Sequence, residues 1–360
     1  MKPTKILHDL GQSLWLDNIT RELLNSGALQ RYIDEFSVTG LTSNPTIFDR
    51  AIRSSTDYDS DIARLSPGAK PEDLFFELAM TDLSRAADLL RPVFARTDGV
   101  DGWVSLEVSP LLAHDTQKTI AAARDLSRRI GKSNLFIKIP GTKEGLPAIE
   151  AAIFAGIPVN VTLLFSCEQY VAAADAYLRG VERRIAAGLN PAIASVASLF
   201  ISRWDVATAG KVPAELADRL GIAVAQRTYR AYMELLSSPR FQRAANAGAR
   251  AQRLLWASTS TKDPKASDIL YVKALAAPFT INTMPNATLE AFAQHGEVGA
   301  ILPPDGGDCE KALAAFAKAG IGIDALAKRL QDEGAVSFDK SWSDLMARIE
   351  SKSAVVRKAS

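Results

Sequence analysis

Lys138 stands inside the apolar run LFIKIP, residues 135–140. A charged lysine is costly to bury there without a partner. Its neutral amine is a nucleophile that attacks a carbonyl to give an imine. The same side chain suits two other tasks, an ion pair with Glu107 or Asp17 and a cationic contact to a phosphate. Imine chemistry needs proton transfers to and from the carbinolamine, and carbon–carbon cleavage needs a base for the substrate hydroxyl. Glu107 in WVSLEV and Asp17 in LWLDN offer two carboxylates whose surroundings can divide that work. Each is equally readable as a buried, hydrogen-bonded acid. Thr162 in NVTLLFS can hold a water as a relay. Ser198 and Arg203 in SLFISR can bind a phosphate with a hydroxyl and a fork of N–H donors, although Arg203 alone reads as a surface salt bridge.

Other chemistries have weaker support. His8, His114 and His295 are scattered and show no HxH or HExxH spacing for a metal. No GxGxxG follows a strand pattern, PGTKEG is not a P-loop, and no GxSxG nucleophile elbow occurs. Gly306–Gly307 reads as a turn. Neither metal nor cofactor is expected. The formal net charge is +1, so no field of one sign draws nucleic acid or an anionic membrane. Cys167 and Cys309 lie far apart, which argues against a disulfide framework. The start MKPTKILHDLGQ lacks the apolar core of a signal peptide, and no apolar run approaches the ~20 residues that span a bilayer. A cytoplasmic location is the expectation.

These residues need a scaffold, and short apolar runs alternate with amphipathic helical patterns along the chain. The runs that read as strands are Ser13–Asn18, Thr39–Asn44, Gly102–Val108, Asn134–Pro140, Pro158–Leu164, Ala192–Ile201, Arg253–Ser260 and Phe279–Met284. Between them lie segments such as PEDLFFELAMTDLSRAADLLRPVF, apolar at helical spacing. Eight strands alternating with helices predict an α/β fold, a (β/α)₈ TIM barrel over about residues 10–297. A doubly wound open sheet is the alternative. EKALAAFAKAG, IDALAKRLQDEG and SFDKSWSDLMARIES predict C-terminal helices over about 298–355, packed on the barrel within one domain spanning 1–360. The tail KSAVVRKAS is expected to fray.

Alternation along each strand assigns faces. Leu14 and Leu16 oppose Trp15 and Asp17. Val104, Leu106 and Val108 oppose Trp103, Ser105 and Glu107. Ile137 and Ile139 oppose Phe136 and Lys138, and Val159, Val161 and Leu163 oppose Asn160 and Thr162. A purely structural parallel strand is apolar on both faces. Here Asp17, Asn44, Glu107, Lys138, Asn160, Thr162, Ser198 and Ser258 gather toward the strand ends that form a barrel's C-terminal mouth, where active sites of this architecture sit.

GLTSNPTIF (40–48), LFIKIPGTKEG (135–145) and NVTLLFS (160–166) closely resemble transaldolase signatures, and the likeness runs from LWLDN through WASTSTKDP and FTINTMP to the C-terminal helices. It is nearest to the longer bacterial branch. The resemblance implies a class I, cofactor-free enzyme acting on sugar phosphates. It would move a dihydroxyacetone unit from sedoheptulose 7-phosphate to glyceraldehyde 3-phosphate in the pentose phosphate pathway, as a monomer or homodimer. Lys138 falls on the Schiff-base lysine. Glu107, with Thr162, falls on the pair handling proton transfers through a water, and Asp17 on the acid/base for the C4 hydroxyl. Asn44 and Asn160 fall on residues that hold the dihydroxyacetone hydroxyls, with Thr42 and Ser43 beside them. Ser198 and Arg203 fall on phosphate ligands. Many relatives carry a phosphate-binding arginine just after the serine matched by Ser258. This chain has Thr259, Ser260, Thr261 and Lys262, so Lys262 is expected to supply that charge. Related fructose 6-phosphate aldolases place a tyrosine where Phe200 stands, which favours transfer over release here.

Overall fold

The computed structural model describes residues 1–359. Eight strands form in the order expected: β1 (Ser13–Asp17), β2 (Val38–Thr42), β3 (Val104–Glu107), β4 (Leu135–Pro140), β5 (Val159–Leu164), β6 (Ser195–Phe200), β7 (Gln252–Ala257) and β8 (Ile281–Met284). They pair in parallel in the order β2-β1-β8-β7-β6-β5-β4-β3. The two outer members meet through a parallel bridge between Gly40 and Trp103. There the Gly102 N–H donates to the Thr39 carbonyl at 2.7 Å, and the Leu41 N–H to the Trp103 carbonyl at 2.9 Å. The sheet therefore closes into a barrel rather than staying open. Gly40 permits this seam, since a Cβ there would stand 2.6 Å from the Trp15 indole.

Strand alternation sorts the core into two clusters. Leu14, Leu16, Val104, Leu106, Ile137, Ile139, Val159 and Val161 pack outward against the helices. Trp15, Trp103, Phe136, Val196 and Leu255 belong to a second cluster inside the barrel. Trp103 stacks on Phe136 with centroids 4.2 Å apart, and Trp15 lies 6.0 Å from Phe136. These rings form an aromatic floor. Asp17, Glu107 and Lys138 stand above it, because each follows a floor ring on the same face of its own strand.

One face assignment is corrected. The pairing of β5 with β6 shifts register between Val161 and Leu164, and Leu163 adopts a left-handed φ of 59°. Leu163 therefore leaves the outward row of Val159 and Val161 and joins the inner cluster with Phe165 and Phe200. Simple alternation cannot anticipate a bulge that turns one side chain around.

The C-terminal end also differs from expectation. After the helix Cys309–Lys318, the last two predicted stretches merge into one helix, Ile323–Ala359, that runs through Gly334. Glycine within a helix costs about 1 kcal/mol relative to alanine. Here it allows close packing, since a Cβ would stand 3.1 Å from Leu163 Cδ2. The stretch expected to fray is helical to Ala359, and Ser360 lies outside the described residues. Gln331 donates from its amide to the carbonyls of Gly141 (3.1 Å) and Leu163 (2.9 Å), both in the barrel. The Thr46 hydroxyl donates to Ser341 at 2.9 Å, and Arg348 pairs with Asp49 at 2.8 Å. These ties hold the long helix across the mouth of the barrel. Among the described residues, no helix is long and apolar enough to cross a membrane.

Candidate active site

Strand register brings the chemistry-bearing side chains together. Glu107 pairs with Lys138 across β3–β4, and Lys138 with Asn160 across β4–β5, so the three lie side by side. Lys138 and Glu107 are 6% and 5% exposed, with Nζ 3.5 Å from Oε2. Nζ also donates to the Ser43 carbonyl at 3.3 Å. A cavity of about 310 Å³ opens above, lined by Asp17, Thr42, Asn44, Lys138, Thr162, Ser198, Phe200, Arg203, Ser258 and Lys262 among others.

Two polar atoms beside the amine lack protein partners. Glu107 Oε1 and Thr162 Oγ1 are both buried without a hydrogen bond. Such orphans are expensive unless another molecule satisfies them. Burial pushes the Glu107 carboxyl above the usual carboxylate range, the Lys138 charge pulls it back, and the Asp17 charge adds to the rise. Asp17 is also raised by burial, and is opposed by Lys138, by the Thr42 hydrogen bond and by Lys262. Thr42 donates to Asp17 at 2.8 Å and lies 2.8 Å from the Thr283 hydroxyl. Thus the two acids are both held toward the neutral form, one beside the amine and one across from it.

The remaining sequence candidates divide by depth. Asn44 caps the helix Pro45–Ser54, its Oδ1 accepting from the Ile47 N–H at 3.1 Å. Asn44 also lines the cavity. Ser43 offers Lys138 its carbonyl, while its hydroxyl turns away to the Ser105 carbonyl at 2.8 Å. Asn160 is fully buried, donating to Ser105 at 3.2 Å and accepting from Ser198 at 2.8 Å. Ser198 is thus tied to Asn160, the cross-strand neighbour of Lys138, while Arg203 lies in the first turn of the helix Ser202–Thr208; both line the cavity. Ser258, at a left-handed φ of 55°, lies 2.9 Å from the Ser202 hydroxyl near that rim.

The rim carries three cations, and one was missed in the sequence. Arg203, Lys262 and Arg50 all line the cavity. Among the described residues none of the three forms a salt bridge. Partial enclosure and the charges of Arg203 and Arg50 hold the Lys262 ammonium below the ordinary lysine pKa. The Asp17 charge opposes that lowering, yet three cations without a salt bridge around a concave opening mark a candidate anion site. Thr46, Ile47 and Arg50 share one face of the helix Pro45–Ser54, and Ser337, Phe338 and Ser341 share one face of the C-terminal helix. Arg50 stands three and four residues after Ile47 and Thr46, and Ser341 three and four after Phe338 and Ser337, and that helical spacing was the available signal.

The family model Transaldolase/Fructose-6-phosphate aldolase matches residues 14–349. The chain belongs to this family. A protein named Transaldolase from Parafrankia sp. (strain EAN1pec) is 44% identical, covering 97% of each chain. Another of that name, from Thermobifida fusca (strain YX), is 45% identical over 96% of this chain and 97% of its own. A third, from Thiobacillus denitrificans (strain ATCC 25259 / T1), is 45% identical over 97% of this chain and 100% of its own. The chain is an enzyme of the transaldolase type. Within this family, the barrel mouth that collects Lys138, Glu107 and Asp17 is its candidate active site.

Proposed function

We propose that the enzyme transfers a dihydroxyacetone unit from sedoheptulose 7-phosphate to glyceraldehyde 3-phosphate, the pentose phosphate pathway reaction, through a Schiff base on Lys138. The observation that carries this reading is the buried Lys138 amine 3.5 Å from Glu107, in a cavity whose rim holds three unpaired cations. An amine with acids at one end and anion recognition at the other suits a ketose phosphate.

In this reading the Lys138 amine adds to the C2 carbonyl, and the carbinolamine loses water to give an iminium. A water between Glu107 Oε1 and Thr162 Oγ1 relays the protons, which accounts for both orphan atoms. Asp17 takes the C4 hydroxyl proton. The C3–C4 bond breaks, the aldose phosphate leaves, and the electron pair passes to the nitrogen as an enamine. The acceptor aldehyde then forms a new carbon–carbon bond, and the steps reverse. Asn44, Asn160 and Ser198 hold the dihydroxyacetone hydroxyls. Thr42 orients and tunes Asp17, and Ser43 fixes the lysine through its carbonyl. Arg203, Lys262, Arg50 and Ser258 receive the phosphate. Phe200, apolar and against Phe165 at 5.3 Å, offers no hydroxyl to activate water.

The test is intact mass after borohydride reduction with fructose 6-phosphate, followed by mapping of the modified residue. One trapped three- or six-carbon unit on Lys138 is expected. Lys138→Arg should fold, take no adduct and transfer nothing, because guanidinium stays protonated. An adduct on another lysine, with Lys138→Arg active, would sink the reading.

A further inference from the structure

Phe338 is the one aromatic side chain that the C-terminal helix directs at the reacting amine. Its ring centroid lies 5.8 Å from Lys138 Nζ. The ring lines the same cavity and packs against the inner cluster of Leu163, Phe165 and Phe200. Its helix is held on the barrel at both sides of the ring, by Gln331 to Gly141 and Leu163 and by Ser341 to Thr46. Beneath the amine the aromatic floor shuts the barrel. On the cavity side the half-buried Phe338 ring faces the amine.

We infer that Phe338 is a positioning residue that keeps bulk water off the Lys138 enamine and so commits the intermediate to transfer rather than release. This rests on the Schiff-base reading above. The family description itself spans transfer and aldolase chemistry, and both pass through the same enamine. Release needs a proton on the enamine carbon, which gives an iminium. Water then adds to the iminium carbon, the carbon–nitrogen bond breaks, and dihydroxyacetone leaves as the ketone with the amine regenerated. Transfer instead joins the enamine carbon to the acceptor's aldehyde carbon, and the aldehyde oxygen takes the proton. An imine hydrolysis closes both routes. Damage common to both therefore cancels in their ratio, and the ratio reads only the fate of the enamine. An apolar wall over the enamine withholds bulk water as a proton source, beyond the one relay water assigned to Glu107 and Thr162, and so favours the aldehyde as its partner.

The experiment measures fructose 6-phosphate cleavage without acceptor and transfer to erythrose 4-phosphate in the same preparations of wild type, Phe338→Ala and Phe338→Leu. Phe338→Ala should raise the release-to-transfer ratio roughly tenfold, equivalent to a barrier change that a single water-excluding side chain can make. Phe338→Leu keeps apolar volume over the amine and should stay near the wild-type ratio. Borohydride trapping on Lys138 in each variant reports an intact site. A ratio unchanged in Phe338→Ala, or raised equally in Phe338→Leu, would overturn the proposal. Absence of any Lys138 adduct in wild type would instead remove the mechanism on which it depends.

Discussion

Asp17 does its proposed work as a carboxylate, and Thr42 is the hydroxyl that stabilises that form at 2.8 Å. Burial already raises the Asp17 pKa, and the Thr42 hydrogen bond lowers it. Thr42→Val removes the lowering contribution, so the carboxyl protonates at higher pH. Activity of a base rises as pH climbs through its pKa. The acid limb of kcat/KM should therefore move to higher pH in Thr42→Val, and an unmoved limb in the pH profile would detach Asp17 from it. The rim behaves differently, since it grips a group remote from the reacting carbons. Arg203→Ala should raise KM for fructose 6-phosphate on the order of 10–100-fold, or ~1.4–2.7 kcal/mol, with a much smaller fall in kcat. Lys262→Ala and Arg50→Gln should show weaker versions of that split. A KM unchanged in Lys262→Ala for every phosphorylated substrate would mark Lys262 as a bystander. Lys138, Glu107 and Asp17 were legible in the sequence because a charged residue on an otherwise apolar strand demands a reason. Arg50 was not, because an arginine on an amphipathic helix looks like any solvated charge until the barrel mouth is seen beside it. Ser198 and Arg203 were read together as phosphate ligands; both line the cavity, and the Ser198 hydroxyl donates to Asn160.

Among the elements, the eight strands were readable from their apolar runs, but the meeting of β5 with the C-terminal helix was not. That meeting depends on Leu163 turning inward at φ 59° and on Gly334 making room above it. A glycine amid helical patterns reads as a stop, and only its tertiary neighbour explains a continuous helix of 37 residues. Two substitutions separate these effects. Gly334→Ala gains helix propensity of about 1 kcal/mol against a 3.1 Å contact with the movable end of Leu163, so its denaturation midpoint should stay close to wild type. Gly334→Val adds two further methyls to the same gap and should destabilise by about 1–3 kcal/mol through overpacking. Urea titration followed by circular dichroism measures both. Equal stability of the valine variant would show that the helix stands off the barrel at this point.

At the scale of the whole molecule, the question is whether barrel and C-terminal helices fold as one unit, as the sequence reading expects. The long helix contributes to both cores. Leu326, Ala327, Leu330 and Ala335 join the inner cluster, whereas Trp342, Leu345 and Ile349 join the outer one. Trp342 is buried and meets Phe75 edge-on at 5.1 Å and Phe76 at 5.8 Å. Those phenylalanines belong to the helix Pro71–Arg96, which packs in turn on β2 and β3, the two strands that close the barrel. Loss of the indole therefore opens a cavity in a core shared by helix and seam. Large-to-small changes of this kind cost about 3–5 kcal/mol. In a single cooperative unit that loss lowers the midpoint of the entire transition, because no part unfolds ahead of the rest. Trp342→Ala should accordingly show far-UV circular dichroism and fluorescence from Trp15, Trp103, Trp204 and Trp256 moving together, at a lower denaturant concentration than wild type. Helical signal lost early, with the fluorescence of those barrel tryptophans unchanged, would mean that the C-terminal helix folds on a barrel already complete without it.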